Sequence, residues 1–401
     1  MPVPTSRAWT ASPDPTVTIR WATPRSPKHR LAAVALARSA VAAAPDKPSP
    51  QLALARALSG AGEMEEAASL LERACGRFPE MEELHEERAH ALARLGRIEA
   101  ALACARRREA AWAPVFAFNL LARQGRRSET VELESAVAAV RPADPNLLES
   151  RVKRARDDPA AVLQLCEEVL SHDPGSAHAI HYKAVALAQL GRRDEAAELM
   201  ALDRFLHIAP LAAPPSFGCD EAFREEVRRE IMANPGLHPD PVGHATRSGL
   251  RTRHFPGAGD RAAAALIDSI RTAVTAYAGG LSGDHPFVRA RPKRATLTPW
   301  ALLFRGPGHQ VAHHHPGCWL TGVYYVSARR DIPRPDLPLP GTIRIGVLPD
   351  RAAAPPPWAV IELEPVPGTL LLFPAFVPHE TVPPGEDAER ISVAFDVTAA
   401  P

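Results

Sequence analysis

The chain contains few cysteines, and none of them are paired at metal-binding spacing. The five cysteines, Cys75, Cys104, Cys166, Cys219 and Cys318, are odd in number and widely scattered. Such a set argues against a disulfide framework, and the absence of a C-x-x-C pair argues against a cysteine zinc site. Free thiols of this kind are typical of a reducing compartment, so we expect a cytoplasmic protein.

The sequence also lacks long apolar runs and an excess of charge of either sign. No stretch approaches the roughly 18 uninterrupted apolar residues of a membrane span, and the first residues lack the apolar core of a signal peptide. Lys and Arg number 47 against 46 Asp and Glu, so the net charge favours no polyanionic partner. We therefore expect neither a membrane protein nor a nucleic-acid-binding protein.

The N-terminal half is dominated by helical patterns. Residues 1–27 are rich in Pro, Ser and Thr without periodicity, which predicts a mobile tail. From Arg30 to about Phe205, Ala, Leu, Glu and Arg form blocks of about 12 to 16 residues separated by Gly or Pro, and this length and punctuation predict helices. With 401 residues, the chain has room for two or three domains, each with its own core.

The helical blocks repeat. The frame Ala55, Leu58, Gly62, Ala67 and Leu71 recurs 34 residues later as Ala89, Leu92, Gly96, Ala101 and Ala105, and again as Ala184, Leu187, Gly191, Ala196 and Met200. This spacing resembles the tetratricopeptide repeat, which implies a solenoid of helical hairpins with a groove for a protein or peptide partner. Residues 110–170 fit the frame poorly, so the number of repeats there stays open, and a plain helical bundle is the alternative for residues 28–209.

The C-terminal half has a different pattern. Prolines between 210 and 245 interrupt the helices except at Glu221–Met232, which indicates a helical linker region. Residues 246–401 begin with one helix, Asp260–Tyr277, and continue as short runs of branched and aromatic residues between Gly and Pro, a pattern typical of a sandwich or jelly roll. The runs are Thr296–Phe304, Leu320–Val326, Thr342–Val347, Trp358–Leu363, Thr369–Phe373 and Ile391–Val397.

Three histidines and one arginine are the candidate functional residues of this half. His313 and His315 are two residues apart on an extended segment and so share a face, while His379 follows a later strand and Arg390 begins another. Imidazoles on one face leave the opposite positions of a metal open, as a non-haem iron oxygenase requires. His309 is a weaker candidate, and Cys318 is expected to pack rather than bind.

The combined motifs resemble a bacterial family of 2-oxoglutarate-Fe(II) oxygenases related to the prolyl hydroxylases. They are His313-x-His-Pro-x-x-Trp-Leu-Thr-Gly-Val-Tyr-Tyr-Val326, Gly368-Thr-Leu-x-x-Phe-Pro374 with His379, and Arg390-x-Ser-x-Ala-Phe395. The resemblance covers residues 246–401 and implies a double-stranded β-helix, that is, a jelly roll with flanking helices. Members of this family often follow tetratricopeptide repeats.

The resemblance also implies the roles of individual residues. His313, His315 and His379 match the ligands of Fe(II), Arg390 matches the arginine that binds the distal carboxylate of 2-oxoglutarate, and Ser392 and Tyr325 lie where hydroxyls could bind that carboxylate. His315 stands where most such oxygenases carry Asp or Glu, so it is either a third histidine ligand or a residue behind the ligands.

Two functions follow as alternatives. The first is a dioxygenase that uses Fe(II), 2-oxoglutarate and O2 to hydroxylate a protein, peptide or small molecule. The second is a catalytically inactive metal- or ligand-binding jelly roll in a protein-interaction module. A carboxylate-binding arginine after the third histidine favours the enzyme.

Overall fold

The chain forms two compact units in the computed structural model. The structure describes residues 17–21, 27–240, 245–329, 339–348 and 355–400. One compact unit spans residues 25–147, and the other combines residues 1–24 with 148–401. No helix in the described ranges is long and apolar enough to cross a membrane.

The first unit is a series of antiparallel helical hairpins. Glycines at positive φ form its turns: Gly96 has φ 73° between α4 and α5, and Gly125 has φ 70° between α6 and α7. Gly125 thus makes the same turn although it lies outside the repeat frame of the sequence. The helices are α1 Pro27–Ala43, α2 Pro48–Ala61, α3 Met64–Arg77, α4 Glu82–Arg94, α5 Ile98–Arg106, α6 Trp112–Arg123, α7 Arg127–Val140 and α8 Pro145–Arg154, the last of which crosses the boundary between the units.

Four further helices belong to the second unit: α9 Pro159–His172, α10 Ala177–Gln189, α11 Arg193–Met200 and α12 Leu202–Phe205. The sequence predicted a domain boundary at 209/210, whereas the compact units divide at 147/148. The physical reason is shared burial: Ile180, Leu187 and Met200 lie in the same apolar core as Leu371 and Phe376. The last repeat-like hairpin is therefore part of the unit that contains the β strands.

The rest of the second unit is built on two sheets, in which all strand pairs are antiparallel except that of Thr18–Trp21 with Arg294–Gln310. The larger has the strand order β2-β9-β6-β11-β5-β4-β3, and the smaller has the order β10-β7-β8. The strands of the two sheets are β1 Thr18–Trp21, β2 His207–Pro210, β3 Leu237–Pro239, β4 Thr246–Thr252, β5 Arg294–Gln310, β6 Leu320–Arg329, β7 Ile343–Ile345, β8 Ile361–Leu363, β9 Thr369–Pro374, β10 His379–Thr381 and β11 Gly385–Ala399. The same unit contains the helices α13 Asp220–Met232, α14 Arg261–Gly280 and α15 Pro286–Arg289 and a 3-10 turn at Pro215–Phe217.

The predicted fold class, a helical repeat region followed by a β jelly roll with flanking helices, is confirmed. All six predicted strand runs contain strands, and both predicted helices are present as α13 and α14. The sequence missed strand β2, which pairs with β9 and closes one edge of the larger sheet.

The predicted N-terminal tail needs one correction. Residues 1–16 and 22–26 lie outside the described residues, but β1 pairs in parallel with the start of β5. Val17 and Ile19 are buried, and Trp21 Nε1 donates to Asp268 Oδ1 at 3.1 Å. Buried Val17 and Ile19 alternate with exposed Thr18 and Arg20, a strand pattern that the surrounding Pro/Ser/Thr composition concealed.

Candidate metal centre

The three predicted ligand histidines are brought together by backbone pairing between the two sheets. His313 and His379 form an isolated antiparallel bridge and exchange two hydrogen bonds, with N to O distances of 3.0 and 2.9 Å. The backbone N–H of His315 donates to the carbonyl oxygen of Ala375 at 2.9 Å. These bonds fix the backbone on both sides of the cluster, so the side chains start from defined positions.

The ring nitrogens of the cluster are arranged for metal binding. One nitrogen from each of His313, His315 and His379 lies within 4.8 Å of the others. Nδ1 of His313 lies 2.8 Å, and that of His379 lies 3.2 Å, from the backbone carbonyl oxygen two residues earlier. Nδ1 of His315 lies 2.8 Å from Oδ1 of Asp396. Acceptors at Nδ1 of His313 and His379 favour the tautomer that leaves Nε2 unprotonated.

Burial keeps the rings of His313 and His379 neutral. Burial, with a smaller effect of His315, lowers the pKa of His313 to about 4. Burial and then the neighbouring His313 and His315 lower the pKa of His379 well below its usual value. Neutral imidazoles have free lone pairs at pH 7, which is the form that binds a metal.

Arg390 lies beside this cluster as a buried cation. It is 2% exposed, and its Nη1 and Nη2 donate to the Gly341 carbonyl oxygen at 2.7 Å and to Thr381 Oγ1 at 3.0 Å. Its Nε has no hydrogen-bond partner, and its guanidinium lies 4.7 Å from the ring centre of Phe304. Burial lowers its pKa, and Tyr325 is the only other described group that affects that pKa. No carboxylate among the described residues pairs with this arginine, so binding of an anion would compensate its buried charge.

The remaining two predicted residues line the same cavity. Ser392 on β11 lies directly opposite Tyr325 on β6, next to a register shift between Ile391 and Ser392. The hydroxyl of Tyr325 is buried without a partner, and burial raises its pKa to about 12, so it remains a donor at neutral pH. The cavity has a volume of about 30 Å3, and its lining contains both residues, the three histidines and Arg390.

Side-chain alternation explains how the strands supply this lining. Thr321, Val323 and Tyr325 of β6 all line the cavity. On β11, Arg390 and Ser392 line it in the same way. The structure therefore gathers all six candidate residues, His313, His315, His379, Arg390, Ser392 and Tyr325, around one space.

Several neighbours of the site were missed by sequence reasoning. Thr381 binds Arg390, and Asp396 contacts His315. His178 and His181, to which the sequence gave no role, stack on His314, with ring centres 4.9 and 4.1 Å away. His309 lies outside the histidine cluster and bonds to a nearby backbone carbonyl instead. The contacts of Asp396 with His315 and of His178 and His181 with His314 have no local sequence signal, because they join distant segments.

The residues present fit Fe(II) and 2-oxoglutarate. Three imidazoles on one side can hold a divalent transition metal with open positions, although a carboxylate is the more usual third ligand for non-haem iron. The unpartnered Nε of Arg390 and the hydroxyl of Tyr325 are donors for a carboxylate. Both groups that the family would bring are therefore matched by the chemistry of the cavity.

The family resemblance is confirmed over the strands that form the site. Residues 298–396 match the family described as "Putative 2OG-Fe(II) oxygenase". That range contains all six candidate residues, so the match covers the whole candidate site. A comparison with curated proteins gives no match.

Solved structures of two kinds are similar to the chain. A prolyl-4-hydroxylase from Pseudomonas putida is 18% identical over 50% of this chain and 96% of its own, with a TM-score of 0.35. A prolyl hydroxylase from Trichoplax adhaerens, in complex with a peptide fragment of hypoxia inducible factor, is 15% identical over 52% and 92%, with a TM-score of 0.33. The tetratricopeptide repeat protein YrrB is 16% identical over 42% and 91%, with a TM-score of 0.32. At these scores, the likenesses add no argument about function.

Proposed function

We propose that the protein is a non-haem dioxygenase that depends on Fe(II) and 2-oxoglutarate and hydroxylates a protein, peptide or small molecule. The observation that carries the proposal is the convergence of three imidazoles beside a buried arginine that pairs with no described carboxylate. Structural cations are normally paired when they are buried. An arginine held unpaired within a metal-binding cavity is explained if an anionic cosubstrate completes it.

The residues of the chain have separable tasks in this proposal. His313, His315 and His379 would hold Fe(II), which supplies the activation of O2 when it is bound with 2-oxoglutarate. Arg390 would orient the distal carboxylate through two parallel hydrogen bonds, and Tyr325 would donate a third. Apolar side chains of the cavity exclude water from the reacting positions. Those lining it include Leu302, Val323, Ile343 and Phe373.

We propose further that the helical repeats bind a partner protein or peptide and that the protein works in the cytoplasm. The repeat hairpins of residues 27–140 provide an extended surface of the kind that solenoids use for binding. If deletion of these repeats left turnover of a native protein substrate unchanged, the repeats would have no part in substrate selection.

The test of the oxygenase proposal is optical. Anaerobic addition of Fe(II) and 2-oxoglutarate is expected to give the visible charge-transfer band of a chelate. His379→Ala removes an imidazole of the cluster and should abolish the band. His309→Ala removes an imidazole outside the cluster and should retain it. A folded wild-type protein without the band would favour an inactive binding jelly roll.

A further inference from the structure

The inner helices of the repeat unit form a groove with an unbalanced charge. It has a volume of about 770 Å3 and is lined mainly by α4 and α6. Its lining contains Arg94, Arg123 and Arg141 but only one carboxylate, Glu86. The whole chain is nearly neutral, with a formal charge of +1, so this positive balance is local.

The groove arginines differ from many others on this unit. On its other surfaces, arginines reach carboxylates of neighbouring helices, as Arg56 does with Glu87 at 3.0 Å and Arg97 with Glu65 at 2.8 Å. Arg94, Arg123 and Arg141 are exposed and form no ion pair with any described residue. Their charges are therefore available to a partner.

The floor of the groove is apolar and carries one amide donor. Phe116 and Leu120 form part of this floor, and His90 meets the Phe116 ring edge-on at 4.9 Å between ring centres. Oδ1 of Asn119 already accepts from Nδ2 of Asn146 at 2.8 Å, which leaves the Asn119 amide hydrogens for a peptide carbonyl. The apolar floor, the amide donor and the arginines at the rim together suit an extended peptide segment.

We infer that this groove binds an acidic segment of a partner protein in which apolar residues alternate with Glu or Asp. The inference deepens the proposed role of the repeats by naming the chemistry of the partner. Apolar side chains would cover Phe116 and Leu120, while carboxylates would pair with the three arginines.

The test uses synthetic peptides of equal length in which Leu alternates with Glu, Gln or Lys, each labelled for fluorescence anisotropy with the full-length protein. The Glu peptide should bind most tightly, and added salt should weaken it. Arg123→Glu combined with Arg141→Glu should weaken the Glu peptide by at least about tenfold, whereas Arg73→Glu, a charge reversal on the exposed face of α3, should have no effect.

Three outcomes would overturn the inference. Equal binding of the Glu and Gln peptides would indicate a merely apolar groove, and equally tight binding of a DNA oligonucleotide would indicate a general polyanion surface. Absence of binding by all three peptides would also contradict it. The chelate band measured on the same preparation tests the oxygenase proposal separately, so failure of one is distinguishable from failure of the other.

A different observation concerns the carboxylate behind His315. Asp396 lies on the same face of β11 as Arg390 and Ser392, and its Oδ1 is 2.8 Å from Nδ1 of His315. This oxygen is buried and accepts no aligned hydrogen bond from the described residues. The Trp300 ring stacks on the other side, 6.4 Å from the His315 ring centre and inclined by 24°. His315 is thus fixed by one charged and one aromatic neighbour.

We infer that Asp396 is a positioning residue that orients His315 as a direct ligand of the metal. The negative charge of Asp396 beside Nδ1 favours the tautomer with the proton on that atom, which leaves the Nε2 lone pair of His315 for the metal. Most 2-oxoglutarate oxygenases carry an Asp or Glu ligand where this chain has His315. Here the negative charge belongs to Asp396, which contacts the histidine and not the metal. This inference rests on the proposed metal site.

The test is Co(II) binding by the full-length protein, followed by its visible absorption. Asp396→Asn keeps the size and an acceptor oxygen but removes the charge, so the Co(II) Kd should rise by about 10- to 100-fold. Cys318→Ser should leave the Kd unchanged. Unaltered binding by Asp396→Asn would overturn the inference, as would loss of binding by Cys318→Ser, because His315, Cys318 and Asp396 form an alternative cluster. Retained binding by His379→Ala would instead refute the metal site itself.

Discussion

Replacement of Arg390 by methionine should affect ligand binding and stability in opposite ways. The side chain donates two hydrogen bonds within the fold, and their loss costs about 1–3 kcal/mol each because the donor is charged. Relief of an unpaired buried charge is worth several kcal/mol in the other direction. We therefore expect the free energy of unfolding without ligands to change little or to increase.

The affinity for 2-oxoglutarate should fall sharply in the same variant. Loss of a charge-assisted pair to a carboxylate costs about 2–4 kcal/mol, which raises the Kd by about 30- to 1000-fold. Titration calorimetry with the metal-loaded protein measures this Kd, and urea denaturation measures stability. Arg305→Met is the matched control, because Arg305 pairs with Glu389 at the surface and is 59% exposed. A destabilised Arg390→Met with unchanged 2-oxoglutarate affinity would refute the reasoning and make Arg390 a structural cation.

Three further predictions concern neighbours of the site. Tyr325→Phe removes an unpartnered buried hydroxyl, so it should weaken 2-oxoglutarate binding in calorimetry without loss of stability in urea; a destabilised variant with normal affinity would contradict this. Gly322→Ala should lower the free energy of unfolding by about 1–3 kcal/mol, because a Cβ there would lie 2.4 Å from the ring of Phe395; a neutral result would contradict that packing. Burial lowers the pKa of His178 to about 3 in the folded protein from 6.5, so its contribution to stability is present above about pH 6.5 and is lost as the pH falls toward 3, by at most about 1.4 kcal/mol per pH unit. His178→Phe should therefore flatten the loss of stability between pH 6.5 and 4 in urea denaturation, and an unchanged slope would show that another group is responsible.

The sequence was sufficient for the fold class because its two halves differ in period. Helical blocks with turn glycines and short branched runs with Gly and Pro are local patterns, and local patterns survive without knowledge of tertiary contacts. The four-residue strand β1 was missed because it is stabilised by pairing with residues 294–297, far along the chain. The unit boundary was missed for the same reason, since burial of Ile180 beside Phe376 is a tertiary fact.

The sequence predicted the candidate residues of the site, but it did not predict the neighbouring residues that hold them in place. His313 and His315 share a face by spacing alone, and the order of His379 and Arg390 carries the family pattern. The contact between His178 and His314 joins residues 136 apart, and nothing near either one signals it. Likewise, nothing in the sequence distinguishes Asp396 from an ordinary polar residue on a strand; its role depends on its distance to His315.

The measurement that tests the central claim most directly is the isotopic composition of succinate formed under 18O2. Incubation of the protein with Fe(II), 2-oxoglutarate and ascorbate, which supplies the two electrons that a substrate would otherwise give, should yield succinate that carries one 18O atom, and His379→Ala should form none. Succinate without label, or no succinate from a folded protein that binds both Fe(II) and 2-oxoglutarate, would contradict the account of this site as an oxygenase.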